Sequence, residues 1–206
     1  NDVNELTKRE PELLVSSYSV YSTGTLNIHQ DAEIISGSVD EPDPSVTEEL
    51  PPVPDFQAGT ANLNIKKNTT QTLSPGSYNK INISKNSAIT FQPGTYTMSE
   101  LMIGMGTTCT FQGETTFQIT DSIHLHKDVL FNEPESVPAE DILILIQAGG
   151  SCHIHKDCIA AANIYAPEGT IHLNKDVTFK GSLVGETVIV NKDTTIEIAS
   201  GIGTGD

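Results

Sequence analysis

Five histidines recur at matching places in three similar heptapeptides, and they are the residues of this chain best suited to binding chemistry. They are His124 and His126 in SIHLHKD, His153 and His155 in SCHIHKD, and His172 in TIHLNKD. Histidines two residues apart in a strand leave the same face, and neighbouring strands lie about 4.8 Å apart. Imidazole nitrogens so placed could share Zn²⁺, Ni²⁺ or Cu²⁺. The alternative, which the pattern favours, is a solvated ladder of stacked rings that holds no metal and repels itself when protonated below about pH 6.

The heptapeptides are copies of a longer repeat that can be anchored on one Asp or Asn. Successive anchors are mostly 17 to 22 residues apart, with gaps of 29 and 37 residues. A unit of about 18 residues is too short for a pair of helices and matches one turn of a parallel β-helix. The anchors are Asp31, Asn68, Asn86, Asp128, Asp157, Asp176 and Asp193, with Gly106 at the same position of a looser copy.

The side chains before each anchor alternate as expected for a strand with one buried face. The residues five and three positions before it are apolar in every copy, and the residue between them is mostly polar. The anchor must then turn a corner, which Asp and Asn do readily because they tolerate the left-handed backbone conformation. We therefore predict an all-β protein, a single-stranded parallel β-helix of about eight irregular coils of roughly 18 residues. A right-handed solenoid is favoured, although the spacing of Ile83, Ser87 and Ile89 also fits a left-handed one.

The corner residues raise the question of catalysis, because paired carboxylates are the machinery of polysaccharide cleavage. Most anchors follow a Lys, so each Asp has a positive charge beside it. Every coil carries the same corner, whereas catalysis needs one distinct site, and we interpret the corners as structural. The chain also lacks a nucleophile elbow, a P-loop and a glycine-rich nucleotide fingerprint. We predict that it is not an enzyme and needs no cofactor.

Composition limits the partners but does not settle the compartment. The 206 residues carry a formal net charge of −16, which argues against binding to nucleic acid and to anionic membranes. No run of 18 apolar residues is present, so we expect no membrane insertion in this region, and any anchor would lie upstream of Asn1. By the alternation, Cys109, Cys152 and Cys158 point inward. Buried thiols are expected, and a Cys152–Cys158 disulfide is the alternative.

The domain boundaries follow from the repeat. The solenoid is expected to occupy residues 19–198, between an N-terminal lead-in or cap (1–18) and a flexible tail (199–206). The acidic, proline-rich stretch 37–60 is interpreted as an excursion that never joins the sheet, and 132–141 as a second acidic loop. These two stretches account for the long gaps between anchors. The most apolar run, ILILIQ at 142–147, is expected to be a buried strand.

Several phrases resemble the β-solenoid domains of bacterial pilin-like surface proteins. They are LSPGSY (73–78), ITFQPGTY (89–96), NIYAPEGTIHL (163–173) and FKGSLVGETVIV (179–190). The likeness covers about residues 19–198, and it implies a solenoid that typically follows a pilin-type helix, in some cases on minor pilins or pilus-tip adhesins. The family's usual corner is Ser-Gly-Asn, whereas this chain has Lys-Asp or Lys-Asn. The chain is also similar to bactofilins, cytoplasmic β-helices that polymerise end to end, but those run through more uninterrupted coils.

The resemblance and the repeat together predict a non-enzymatic structural or adhesive module at the cell surface, as a minor pilin or pilus-associated protein. The expected partners are other pilus or surface subunits, and glycans or a solid surface. Binding is assigned to the five histidines named above, His124, His126, His153, His155 and His172, which we call the histidine patch. The alternatives are a bactofilin-like self-assembling scaffold and, less favoured, a polysaccharide-active enzyme.

Overall fold

A computed structural model describes residues 20–36, 39–40 and 51–197; the predicted lead-in and tail lie outside these residues. The described part is the predicted all-β parallel solenoid, in which two sheets enclose one apolar core. Its only helix among these residues is the 3-10 turn Ala139–Asp141. The larger sheet holds eleven strands: β1 (Val20–Ile28), β3 (Val39–Asp40), β4 (Asn62–Ile65), β6 (Gly76–Ser77), β7 (Lys80–Ile83), β9 (Gly94–Ile103), β11 (Thr115–Leu125), β13 (Ile142–Ile146), β14 (Ser151–Ile154), β16 (Asn163–Leu173) and β18 (Leu183–Val190).

The smaller sheet follows the corner of each coil. All strand pairings in both sheets are parallel, as expected when each coil lies directly on the next. Its eight strands are β2 (Glu33–Ser36), β5 (Thr70–Leu73), β8 (Ala88–Phe91), β10 (Thr108–Phe111), β12 (Leu130–Phe131), β15 (Ile159–Ala161), β17 (Thr178–Lys180) and β19 (Thr195–Glu197).

Each complete coil has three sides, because the long strands of the larger sheet bend part-way. The bend is visible as a shift in pairing register, for example between Ile119 and Ser122 of β11. We call the side after the bend the histidine face; it comprises residues 25–28, 62–65, 80–83, 100–103, 122–125, 151–154, 170–173 and 187–190. We call the side before the bend the strap face; it comprises residues 20–22, 94–98, 115–119, 142–146, 163–166 and 183–185.

The predicted corners are present and have the predicted cause. Seven of the eight anchors have left-handed backbone, with φ between 56° and 67°. Gly106 belongs to them with φ 67°, because glycine enters this region without steric cost. Asp31 is the exception, and its N–H is held by the Nδ1 atom of His29 at 3.2 Å.

The core is a column of aliphatic residues with a cluster of stacked aromatic rings. The inward residues before the corner are nearly all buried, as the alternation predicts, and those of the outer coils (Leu26, Ile28 and Leu63) are half-buried. Among the described residues, the histidine-face segment of each outer coil pairs with a strand on one side alone, so the same residue type has less cover there. Full burial of such a side chain stabilises the fold by about 1.5–3 kcal/mol. The aromatic cluster is Phe91, Tyr96, Phe111, Phe117 and Phe131.

The order of coils in space differs from their order in sequence. The larger sheet runs β3-β1-β18-β16-β13-β11-β9-β7-β4, with β14 pairing β11 and β16. The N-terminal coil (residues 20–36) therefore lies on the C-terminal coil (residues 183–197), at the opposite end of the stack from β4, the next histidine-face strand in the chain. The prediction that 37–60 never joins the sheet is wrong for Val39–Asp40, which pairs with β1.

The second part of that stretch is a strap across the solenoid. Residues 51–58, which we call the strap, pack Val53 and Phe56 on an apolar patch of the strap face. The Tyr165 hydroxyl donates to the Pro51 carbonyl at 2.5 Å, and Gln147 Nε2 donates to the Phe56 carbonyl at 3.0 Å. This cover explains why every residue of β13 is buried, including the outward pair Leu143 and Leu145. ILILIQ is thus the predicted buried strand, and the strap is what buries its outer side.

The second acidic stretch, 132–141, is the predicted loop, and one buried side chain holds its shape. Asn132 is fully buried with φ 62°. Its Oδ1 atom accepts from the Ser136 N–H at 3.0 Å and the Ser136 hydroxyl at 2.8 Å, and its Nδ2 donates to the Val137 carbonyl at 2.9 Å. Local side-chain bonds of this kind replace the sheet pairing that the loop lacks.

Gly181 is predicted to be intolerant of any side chain, because two coils approach closely there. A Cβ atom at this position would lie 1.9 Å from the Ala162 carbonyl oxygen, and φ is +132°. We expect Gly181→Ala to lower the free energy of unfolding by about 3 kcal/mol or more. Gly149 is the matched control, since its φ is +77° but no atom lies within 4 Å. Gly149→Ala should cost about 1–2 kcal/mol from backbone strain alone. Urea unfolding followed by circular dichroism measures both, and equal losses would contradict the close approach.

Candidate binding face

Three neighbouring coils bring the five predicted histidines together. His124 on β11 lies opposite His153 on β14, and His153 lies opposite His172 on β16. His126 and His155 follow two residues later, at the start of the corner. All five side chains are half-buried between their neighbours. The repeat register therefore places them in one patch of the histidine face, as the spacing predicts.

The imidazole rings stack in two short columns. The rings of His124 and His153 are 5.0 Å apart between centroids and 4° from parallel, and those of His126 and His155 are 5.1 Å apart and 5° from parallel. His172 departs from this arrangement, with its ring 66° from that of His153. These ring contacts agree with the predicted ladder.

An amide that the sequence analysis did not single out accounts for the orientation of His172. Asn191 Nδ2 lies 2.9 Å from His172 Nε2 and 3.2 Å from the Asn174 side-chain oxygen. Because an amide NH₂ donates, Nε2 accepts, and the neutral His172 ring carries its proton on Nδ1. The signal for this contact was present, since Asn174 and Asn191 occupy the repeat position of His126 and His155 in the next two coils.

Parallel rings do not converge on a shared ion. Zn²⁺ takes a tetrahedral set of ligands whose lone pairs meet at one point, whereas stacked imidazoles direct their nitrogens side by side. Across residues 20–36, 39–40 and 51–197 there is no group of three or more His, Cys, Asp or Glu side chains with the geometry of a metal site. The alternative of a shared metal ion therefore gains no support from the arrangement of these histidines.

Three of the five histidines of the patch have lowered pKa values. Partial burial lowers the pKa values of His124, His153 and His155, and the charges of neighbouring histidines lower them further. An ordinary histidine has a pKa near 6.5, so at pH 7 these three rings are unprotonated. Hydroxyls border them on one side, from Ser122, Ser151 and Thr170, which are paired along the stack. These three uncharged rings and the hydroxyls beside them thus offer hydrogen-bond donors and acceptors, while the carboxylates of Glu100 and Asp121 lie near His124.

Charged corners border the patch on the other side. Lys127 Nζ lies 3.1 Å from Asp128 and 3.5 Å from Asp157 of the next coil, while Lys156 lies 3.4 Å from Asp157. Lys175 and Lys192 pair with the Asp that follows each of them. The lysines thus offset repulsion within the carboxylate column, as expected. These exposed pairs contribute little to stability, about 0–1 kcal/mol each.

The three cysteines are free and buried, as predicted for inward positions, and the Cys152–Cys158 disulfide is not formed. Burial raises the thiol pKa to about 12 for Cys152 and to about 11 for Cys158, and it also raises that of Cys109. The Cys158 thiol donates to the His126 carbonyl at 3.0 Å. These thiols are protonated at neutral pH and are poor nucleophiles.

Comparisons with known proteins identify a family. The family model described as "Domain of unknown function (DUF7305)" matches residues 29–202. No curated protein and no solved structure matches the chain. None of the described helices has the length and apolar character required to cross a membrane.

Stability is predicted to fall as the pH drops from 7 to 5. The depressed pKa values of His124, His153 and His155 mean that the unfolded chain binds more protons than the folded chain below about pH 6.5. The stabilisation is complete above that pH and is lost as the pH falls through the lower pKa values of the folded protein. His153→Gln should reduce the dependence of the melting temperature on pH, because it removes the central titrating ring. Asn82→Gln, at the same repeat position in a coil without histidine, is the control, and an equal slope in all three proteins would contradict the prediction.

Proposed function

The chain belongs to the family described as a domain of unknown function (DUF7305), and from the geometry of its histidine face we propose that it is an adhesive module that binds glycans. The module is non-enzymatic and is displayed at the cell surface as part of a pilus or pilus-like assembly. The observation that carries the proposal is the patch of stacked imidazoles, with hydroxyls on one side and amides in the coils beside it. Localisation rests on the resemblance of residues 19–198 to pilin-like surface domains.

A neutral polysaccharide suits this patch chemically. Sugar hydroxyls donate and accept hydrogen bonds, and the patch offers both functions from His, Asn, Ser and Thr side chains. Uncharged groups cost less to desolvate than charged ones, so a neutral surface loses less on contact with a neutral polymer. The rows repeat about every 4.8 Å, which provides an extended series of similar contacts along one direction. A polymer engages several rows at once and gains avidity from repeated weak contacts.

The shape of the described surface favours a polymer over a small molecule. Small-molecule sites are concave, mostly apolar and typically about 300–1,000 Å³. One described cleft, of about 380 Å³, lies beside the 132–141 loop against Lys180, and another, of about 230 Å³, lies between the strap and Pro167. Neither cleft is lined by a histidine of the patch. The histidine face is an open surface of parallel rows, suited to a ligand that lies across it.

Binding to insoluble polysaccharide tests the proposal. Purified protein is mixed with microcrystalline cellulose or chitin at pH 7, and the bound fraction is measured after sedimentation. We expect the His124→Ala/His153→Ala variant to bind about tenfold more weakly than the wild type, a loss of about 1.4 kcal/mol. The matched control is Thr178→Ala/Thr195→Ala, a stacked pair in adjacent coils of the smaller sheet.

Three results would contradict this proposal. The first is an absence of wild-type binding to either polysaccharide, and the second is equal weakening in the two variants. The third is release of soluble sugars from the polysaccharide, which would identify an enzyme instead.

Immunogold labelling tests the proposed location. Antibodies against the purified chain should label fibres outside intact cells of the source organism. Label confined to filaments in sectioned cytoplasm would exclude the surface module and favour a cytoskeletal scaffold. Fractionation into sheared fibres and cell bodies provides a second, independent readout of the same question.

A further inference from the structure

The N-terminal coil is stacked on the coil farthest from it in sequence. Strand β1 pairs with β18 from Val20↔Leu183 to Ile28↔Val190, and β2 pairs with β19. Among the described residues, the only other strand pairing of this coil is with β3, at its outer edge. Its position in the stack therefore depends on the C-terminal coil and not on the coil that follows it along the chain.

Apolar side chains, a hydrogen bond and a close backbone approach hold these two coils together. Val20 is fully buried, and Leu26, Ile28 and Ile34 pack against the main core. The Ser22 hydroxyl donates to the Glu186 carbonyl at 2.7 Å. A Cβ atom on Gly24 would lie 3.0 Å from the same oxygen, so this glycine permits the close approach. The interface combines strand pairing, apolar burial and a directed hydrogen bond.

The N-terminal coil covers strand edges and apolar side chains of the C-terminal coil. Without that coil, β18 and β19 would be the last strands of the two sheets, with a row of unpaired backbone groups. Val188, Val190 and Ile196, all buried in the closed solenoid, would also lose cover. Exposed parallel edges of this kind readily pair with another chain.

The two coils that form this contact are far apart in the sequence and can meet only after both have been synthesised. Ser22 and Glu186 are 164 positions apart, and the N-terminal coil is synthesised before its docking surface. Both edges therefore exist unpaired before the solenoid closes. With the strap held on its own solenoid, the ten residues from 41 to 50 that join β3 to the strap can extend to about 35 Å. A connection of that length allows the N-terminal coil to reach the docking surface of a neighbouring copy as well as the one on its own chain.

We propose that the N-terminal coil of one copy docks on the C-terminal coil of a second copy, in the register seen within one chain. The exchanged contact has the same strand pairs and the same buried groups as the closed contact, so exchange sacrifices little interaction energy. Because the two surfaces are different, each copy both donates and accepts a coil, and the copies join head to tail as a closed ring or an open filament. The closed form has an effective-concentration advantage of roughly millimolar for a short linker. A high local concentration of copies favours exchange, and the inference does not depend on what the histidine face binds.

Cysteine trapping between differently marked chains tests the exchange. Thr25 and Thr187 are direct partners in the β1–β18 pairing, where the Cα separation suits a disulfide. A Thr25→Cys chain and a Thr187→Cys chain of different tag length are refolded together at high concentration and oxidised. We expect a mixed dimer on a non-reducing gel, well above the background of either chain oxidised alone. The native cysteines are buried and contribute little to that background.

Two controls make the test decisive. Thr170 and Thr187 are also direct partners, but inside the contiguous part of the stack. Refolding Thr170→Cys chains with Thr187→Cys chains should give no mixed dimer, because exchange there would require opening the solenoid between successive coils. One chain carrying both Thr25→Cys and Thr187→Cys should form an intrachain bond when dilute. The proposal is overturned if that bond forms while the mixed dimer does not, if the Thr170 pair crosslinks equally, or if the intrachain bond itself fails to form.

Discussion

Each coil of this solenoid depends on the coils on both sides for its backbone hydrogen bonds and for cover over its inward side chains. The dependence is visible at the ends, where Leu26 and Leu63 are half-buried, whereas their counterparts within the stack, such as Leu101 and Ile123, are fully buried. An uncovered end is both less stable and prone to pairing with other chains. The chain covers the C-terminal coil with its own first coil. The strap then crosses the strap face on its way to β4 at the opposite end.

The same stacking produces the properties of the histidine face. Half-burial between neighbouring coils lowers the pKa values of His124, His153 and His155, and it aligns two pairs of rings nearly parallel. A rigid scaffold thus yields a patch that is rich in hydrogen-bonding groups and regularly spaced. By contrast, the strap covers part of the strap face, where Val53 and Phe56 pack on its apolar patch. The glycan-binding proposal and the coil-exchange proposal use different surfaces, so failure of one leaves the other standing.

Local features of the fold could be predicted from sequence because each rests on a few neighbouring residues. The left-handed corners follow from Asn and Asp at the anchors, and Gly106 fits the same rule. The order of coils could not be predicted, since a repeat that stacks on its neighbour stacks equally well on any similar coil. The signal for the strap was the outward apolar pair Leu143 and Leu145, which needed cover from somewhere. The patch of five histidines was predictable from spacing, but the rotation of His172 depends on the side-chain conformation of Asn191.

The position of the N-terminal coil is the central claim, and a single distance tests it. Spin labels at Asn27 and Asn64, two exposed residues at matching repeat positions, can be measured by double electron–electron resonance in dilute protein. The strand order places seven spacings between their strands, which predicts a separation of roughly 34 Å. Coils stacked in sequence order would bring the labels within about 15 Å, on neighbouring strands about 4.8 Å apart. That shorter distance would contradict the account.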